Sequence, residues 1–203
     1  KKVGSVFLSS VCDGWQPAEA SYGLTRQCLE ILLRHRYPLS ILTKNVLAGR
    51  DFDLLTRNRH TSFGVTITTL NENLVKFIEP RSSPASERLG LLQEAKRKGL
   101  KTYAFLGPLL PHLSDTEASL VPLLKAVKEV GVDYCYIDQL NRRFGLWTAL
   151  KNLLIQHFPR LLVTYERFMF DEHTRVVYAE KLRAFVYHLA RRQGMADKLK
   201  VCF

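Results

Sequence analysis

"YPLSILTKN", residues 37–45, places an apolar strand directly after a proline and ends it on an ammonium group. Pro38 breaks the helical pattern before it, because proline offers no amide hydrogen and clashes with the preceding turn. Leu39 to Thr43 then reads as a strand, and Lys44 continues it. An ammonium there is costly to leave unpaired so near a core. Upstream, Val6 to Val11 reads as a first strand, leading to a helix over Pro17 to Arg36 with Leu24, Cys28, Ile31 and Leu32 on its apolar stripe. Downstream, a short helix near Asp51 to Arg57 leads to a third strand, Phe63 to Thr69. Helices over Asn71 to Ile78 and Pro84 to Lys98 follow, the second closing on Gly99. A fourth strand, Thr102 to Leu106, ends in Gly107-Pro108, and a helix over Asp115 to Val130 closes on Gly131. The fifth strand is Asp133 to Gln139, and Asn141 to Phe203 reads as helical throughout, broken at Pro159.

Five strands alternating with helices call for a parallel sheet in an α/β fold, since parallel strands need crossover connections. The pattern leaves a doubly wound sheet and a complete or partial (β/α) barrel both open. Either architecture binds ligands at the C-terminal strand ends. Those ends read Cys12-Asp13, Thr43-Lys44-Asn45, Thr68-Thr69-Leu70-Asn71, Gly107-Pro108 and Asp138-Gln139-Leu140-Asn141. Together they offer one cation, two carboxylates and several hydroxyls and amides. That set suits a small ligand with both a carboxylate and an amine, or a phosphate. Gly107 adds backbone that a ligand can approach closely.

The chain has 203 residues, 46% of them hydrophobic, and a formal charge of +11. That length supports one sizeable core, and no apolar run approaches a membrane span. No signal peptide opens the chain. It starts at Lys1 without Met, which reads as a fragment boundary. The basic balance favours a polyanionic partner such as nucleic acid, although individual clusters also suit helix C-termini. Cys12, Cys28, Cys135 and Cys202 form neither a CxxC nor a CxxxCxxC element, so no metal site is read here. The same spacing shows no disulfide framework, which fits a reducing cytoplasm.

Other chemistries find less support. There is no GxGxxG or GxxxxGK[ST] phosphate loop. His35, His60, His112, His157, His173 and His188 have no metal-binding spacing. Asp13 and Asp138 could form an acid/base pair, but Asp13 before Gly14 suits a turn better. Tyr103, Phe105, Tyr134 and Tyr136 read as sheet filling rather than as a base-stacking platform.

The ordered segments "SSVCDGWQPAEASYGLTRQCLEIL", "YPLSILTKN", "RDFDLL" and "VTITTLNENLVKFIEPRSSPASERLGLLQEAKRKGLKTYAFLGPLLP" carry more than periodicity. They resemble the radical SAM superfamily, and within it the DNA-repair-photolyase-like branch related to spore photoproduct lyase. The resemblance is strong over Val6 to Pro111 and weak beyond. It implies a partial (β/α) barrel over residues 1–140, with a helical C-terminal region, 141–203, packed on it. It implies S-adenosylmethionine (AdoMet) as cofactor, its carboxylate and amine held at Cys12, Lys44 and Thr66. Asp13 stands beside them, and the Gly107-Pro108 backbone lies near the adenosine.

The same resemblance implies a [4Fe–4S] cluster that reductively cleaves AdoMet to a 5′-deoxyadenosyl radical, with DNA as a possible substrate. The defining CxxxCxxC motif is missing from residues 1–203. The expectation is therefore a catalytically inactive fragment whose first strand has an exposed edge suited to self-association. Ser10 stands where spore photoproduct lyases carry their hydrogen-donating thiol, so lyase activity does not carry over. The competing expectation is a non-redox basic α/β module that binds nucleic acid.

Overall fold

Six parallel strands follow one another across a single open sheet in chain order. The computed structural model describes residues 4–9, 11–143 and 145–203. Ser10 lies outside the described residues. The strands are β1 (Val6–Leu8), β2 (Leu39–Thr43), β3 (Thr61–Ile67), β4 (Lys101–Leu109), β5 (Tyr134–Gln139) and β6 (Leu199–Val201). Between β1 and β4 run α1 (Glu19–Tyr22), α2 (Leu24–Arg34), α3 (Phe52–Leu55), α4 (Glu72–Ile78) and α5 (Ala85–Arg97). Then come α6 (Glu117–Val130), α7 (Leu146–His157), α8 (Leu162–Phe170) and α9 (Glu172–Arg192).

Sequential strand order with right-handed crossovers sends successive helices to one face, as in a barrel left open. Leu39, Ile41, Phe63, Val65, Ile67, Ala104 and Ile137 point to that face and pack with Leu29, Leu92, Leu124 and Val186 in the main core. The intervening residues form the inner face. There Tyr103 donates its hydroxyl to the Ile41 carbonyl at 2.7 Å and lies across Gly64, where any side chain would collide with its ring. The pattern had left two architectures open, and the fold is the partial (β/α) barrel.

Helix ends follow local chemistry. Asn71 caps α4 by accepting from the Asn73 and Leu74 amides, and Thr116 caps α6 by accepting from Ser119. Pro80, directly behind Glu79, stops α4.

Three expectations change. The first strand stops at Leu8 rather than Val11, because Ser9 turns into the left-handed region (φ 71°). The expected helix over Pro17 to Arg36 is two helices separated by Gly23 (φ 61°). Within the second helix Leu29 is buried and Leu32 and Leu33 pack on the core, while Leu24 (61% exposed), Cys28 and Ile31 of the expected stripe face outward. Finally, Leu199–Val201 is a sixth strand where helix was expected. Pairing with β5 (Ile137 opposite Val201) buries Leu199, a tertiary effect on a segment too short for a periodic signal. The rest of the C-terminal region divides its packing: Leu182, Val186 and Leu189 of α9 join the main core. Leu150, Leu154, Tyr165 and Phe168 build a second core with Leu110 and Leu140.

Candidate functional site

The end of β2 is tied to the loop after β1 by one carboxylate. Asp13 accepts from the Thr43 hydroxyl (2.9 Å to each oxygen), from the Lys44 amide (2.7 Å) and from the Trp15 amide (2.9 Å). The loop is held further along as well. Thr25 donates to the Gly14 carbonyl, and the buried Trp15 indole donates to Asp51 at 2.8 Å. Arg26 pairs with Asp51 at 2.7 Å, and Arg50 pairs with Glu19. Asp13 therefore spends its oxygens on positioning the loop and the root of Lys44.

Lys44 does not stand unpaired. Its ammonium lies 2.8 Å from Glu79 Oε1, and the fully buried Arg88 reaches Glu79 Oε2 at 3.0 Å. Arg88 also donates to the Thr66 carbonyl at 2.5 Å. The Thr68 hydroxyl lies 2.7 Å from Glu79 Oε1 and 3.0 Å from the Gly107 carbonyl, two acceptors that share its one proton. Burial would raise the Glu79 pKa, but the charges of Lys44 and Arg88 and the bonds from Lys44 and Thr68 outweigh it. The carboxyl is held below its ordinary value and stays ionised.

Three cavities meet at Lys44. The largest, about 670 Å³, is lined by Cys12, Asp13, Gln16, Lys44, Asn45, Glu79, Arg81 and Ser82 among others. A second, about 350 Å³ and mostly apolar, runs from Lys44, Thr68 and Glu79 past Pro108 to Leu140 and Leu150. The smallest, about 180 Å³, joins Ser9, Asp13, Lys44 and Thr66. Lys44 lines all three. The two larger volumes fall in the range of small-molecule sites, roughly 300–1,000 Å³. Around Lys44, three cations (Lys44, Arg81, Arg88) stand against two carboxylates (Glu79, Asp13), which leaves one positive charge in excess.

The sequence-predicted residues divide accordingly. Cys12 is exposed in the largest cavity, Thr66 lines the smallest, and Pro108 lines the apolar one. Gly107 lines none of these three: its Cα packs so close to the Asp138 carbonyl that a Cβ would come within 2.7 Å. Asp138 is separate from Asp13. It accepts from the Gln139 amide and Asn141, and burial raises its pKa. Thr68 was read among the polar strand ends, whereas Glu79 and Arg88 were not singled out by sequence. The signal for Glu79 was the EPR element at residues 79–81, and nothing marked Arg88.

An iron–sulfur cluster does not fit these residues. Among the described residues no three His, Cys, Asp or Glu side chains group to hold a metal. Cys12 follows β1, Cys28 is on α2, Cys135 is on β5 and Cys202 follows β6. The Cys135 thiol is buried and pushed up to about 12, the wrong direction for a thiolate ligand.

Among solved structures, a spore photoproduct lyase complexed with dinucleoside spore photoproduct superposes with a TM-score of 0.62 at 18% identity. The match covers 89% of this chain and 56% of that one. The chain is similar in fold to spore photoproduct lyase. In sequence it is 40% identical over 156 residues to an uncharacterised protein of Methanocaldococcus jannaschii, covering 77% of this chain and 57% of the relative. A radical SAM Nα-GlyT isomerase of Pseudomonas phage M6 is 24% identical over 152 residues, covering 68% of this chain and 32% of that protein. The chain spans little more than half the length of the first curated relatives it matches, from 50% to 58%. No protein-family profile matches it. Among the described residues no helix is long and apolar enough to cross a membrane.

Proposed function

We propose that residues 1–203 form the AdoMet-binding part of a radical SAM enzyme, with the ligand lying across the strand ends at Lys44. The observation that carries this reading is a single ammonium exposed to three adjoining cavities, with one positive charge in excess around it. Lys44 has one N–H engaged by Glu79, so its remaining hydrogens are free to bind the ligand's carboxylate. Thr66 offers a hydroxyl from the next strand, and Cys12 a thiol from the loop. The apolar walls around Pro108 and Leu140 suit the adenosine. The likeness of fold to spore photoproduct lyase supports the placement of the ligand at this end of the sheet.

In such an enzyme AdoMet bound at a reduced [4Fe–4S] cluster supplies a 5′-deoxyadenosyl radical for hydrogen abstraction. The dispersed cysteines do not supply the cluster's thiolates, so this reading takes them from outside residues 1–203. Residues 1–203 alone are expected to bind AdoMet without cleaving it. The test is anaerobic reconstitution of the full-length gene product with iron and sulfide. A brown chromophore and 5′-deoxyadenosine formed on reduction are the expected result. A full-length protein that takes up no iron–sulfur cluster contradicts the reading.

A further inference from the structure

The end of the sheet opposite the cavities at Lys44 gathers six exposed cations that are in no ion pair among the described residues. In a parallel sheet the helix C-termini, the helix-to-strand turns and the strand starts fall at that end, so residues distant in sequence become neighbours. Arg34 and Arg36 precede β2, Arg59 precedes β3, Arg97 ends α5, Lys101 opens β4 and Lys200 lies in β6. All six are exposed, and among the described residues none is in an ion pair. Of the carboxylates at that end, Glu94 and Asp133 are already paired with Lys98 and Lys96. Glu129 in the last turn of α6 and Asp197 just before β6 are in no ion pair among the described residues, so the cations stay in excess.

The turns that bear these cations are tied together. Asn58 donates to the Tyr37 carbonyl, and Lys96 reaches Asp133, which also accepts from the Thr102 amide. Lys198 donates to the Val132 carbonyl. From β2 to β6 the rim spans four interstrand steps, roughly 19 Å. Arg34 also opens, with Arg57, Asn58 and Glu30, into a polar groove of about 480 Å³ between α2 and α3.

Helix dipoles do not account for this gathering, because their pull fades within the last turn. Arg36 and Arg59 lie in turns, and Lys101 and Lys200 lie in strands. Arg36 even occupies the left-handed region (φ 58°), which glycine adopts without cost. None of the six lines the three cavities around Lys44.

We propose that this rim binds the phosphate backbone of duplex DNA, on the face opposite the ligand site. A rigid arc of separate cations matches a regularly spaced line of phosphates. Base stacking is disfavoured at the rim's Tyr134. Tyr103 stacks on that ring at 5.1 Å, and the ammonium groups of Lys200 and Lys101 lie 4.7 Å and 5.4 Å from its centroid. A single strand would need such a ring free.

The test is fluorescence anisotropy of a short labelled duplex, and of its single strand, titrated with the 203-residue chain between about 50 and 200 mM salt. Five or so phosphates neutralised give a log–log slope of roughly −4 to −5, an affinity loss of about 250- to 1,000-fold across that range. The triple variant Arg36→Gly, Arg59→Gln, Lys101→Gln should flatten the slope by about 2.7. A control that removes three charges elsewhere, Arg142→Gln, Arg160→Gln, Arg175→Gln, should leave the slope as in the wild type. If the triple variant does not fold, Arg36→Gly alone, which relieves its own backbone, should flatten the slope by about 0.9. Wild-type binding by the rim variants, equal losses in rim and control variants, or tighter binding to the single strand would each overturn the proposal.

Discussion

At Glu79 two cations depend on one carboxylate, and the balance is asymmetric. Lys44 retains access to solvent, whereas Arg88 is fully buried and has no other anion among the described residues. Glu79→Gln should therefore cost about 3 kcal/mol, the range for removing one partner of a buried pair, measured by urea denaturation at neutral pH. The folded-state pKa of Glu79 lies below its ordinary value of 4.5, so its contribution is fully present above that value. It is lost as pH falls through the lower, folded-state pKa. Wild-type stability should thus fall more steeply below pH 4.5 than that of Glu79→Gln, and parallel profiles would deny Glu79 this role. The sequence announced that Lys44 needed a partner, from its place at a strand end. It did not say which, because Glu79 lies 35 residues on, at the end of a helix whose course periodicity does not give. Asp13 was legible as a turn residue, and its bonds to Thr43 and Lys44 make it a positioning residue for the site.

Among the elements, the loop between β1 and α2 determines whether the largest cavity keeps its shape. It is held by Asp13 at one end and by the Trp15 indole on the buried Asp51 at the other. Trp15→Phe keeps the aromatic bulk and deletes that hydrogen bond to a charged group, worth about 1.5–3 kcal/mol. The variant should melt earlier and be cut by protease between β1 and α2 before the rest of the chain. An unchanged digestion pattern would place the loop's anchor elsewhere. The β2, α4 and α5 segments were legible because proline and glycine punctuate them. The break at Gly23 was not, since one glycine within a helical pattern is often tolerated. Neither was β6, three residues whose strand identity comes from pairing with β5.

For the molecule as a whole, strict chain-order parallel pairing has two consequences. It leaves β1 and β6 as the sheet edges, each three residues long. Edge pairing through β1 would give a concentration-dependent dimer in sedimentation equilibrium, and a monomer at every concentration would dismiss that expectation. It also sorts the chemistry by end, with the cavities and Lys44 at the C-terminal strand ends and the rim of six exposed cations at the N-terminal ones. Strand–helix alternation made the α/β class legible, and with it the strand ends at which the cavities open. The gathering of Arg34, Arg36, Arg59, Arg97, Lys101 and Lys200 was not, because distant turns become neighbours only once strand order is known. The most direct test of the ligand site is an NMR titration of the ¹⁵N-labelled 203-residue chain with AdoMet, in wild type and in Lys44→Met. Shift changes confined to Cys12, Lys44, Thr66, Thr68 and their neighbours, and abolished in Lys44→Met, are the predicted result. Changes that persist in Lys44→Met, that fall elsewhere on the chain, or that are absent from the wild type contradict an AdoMet site at Lys44.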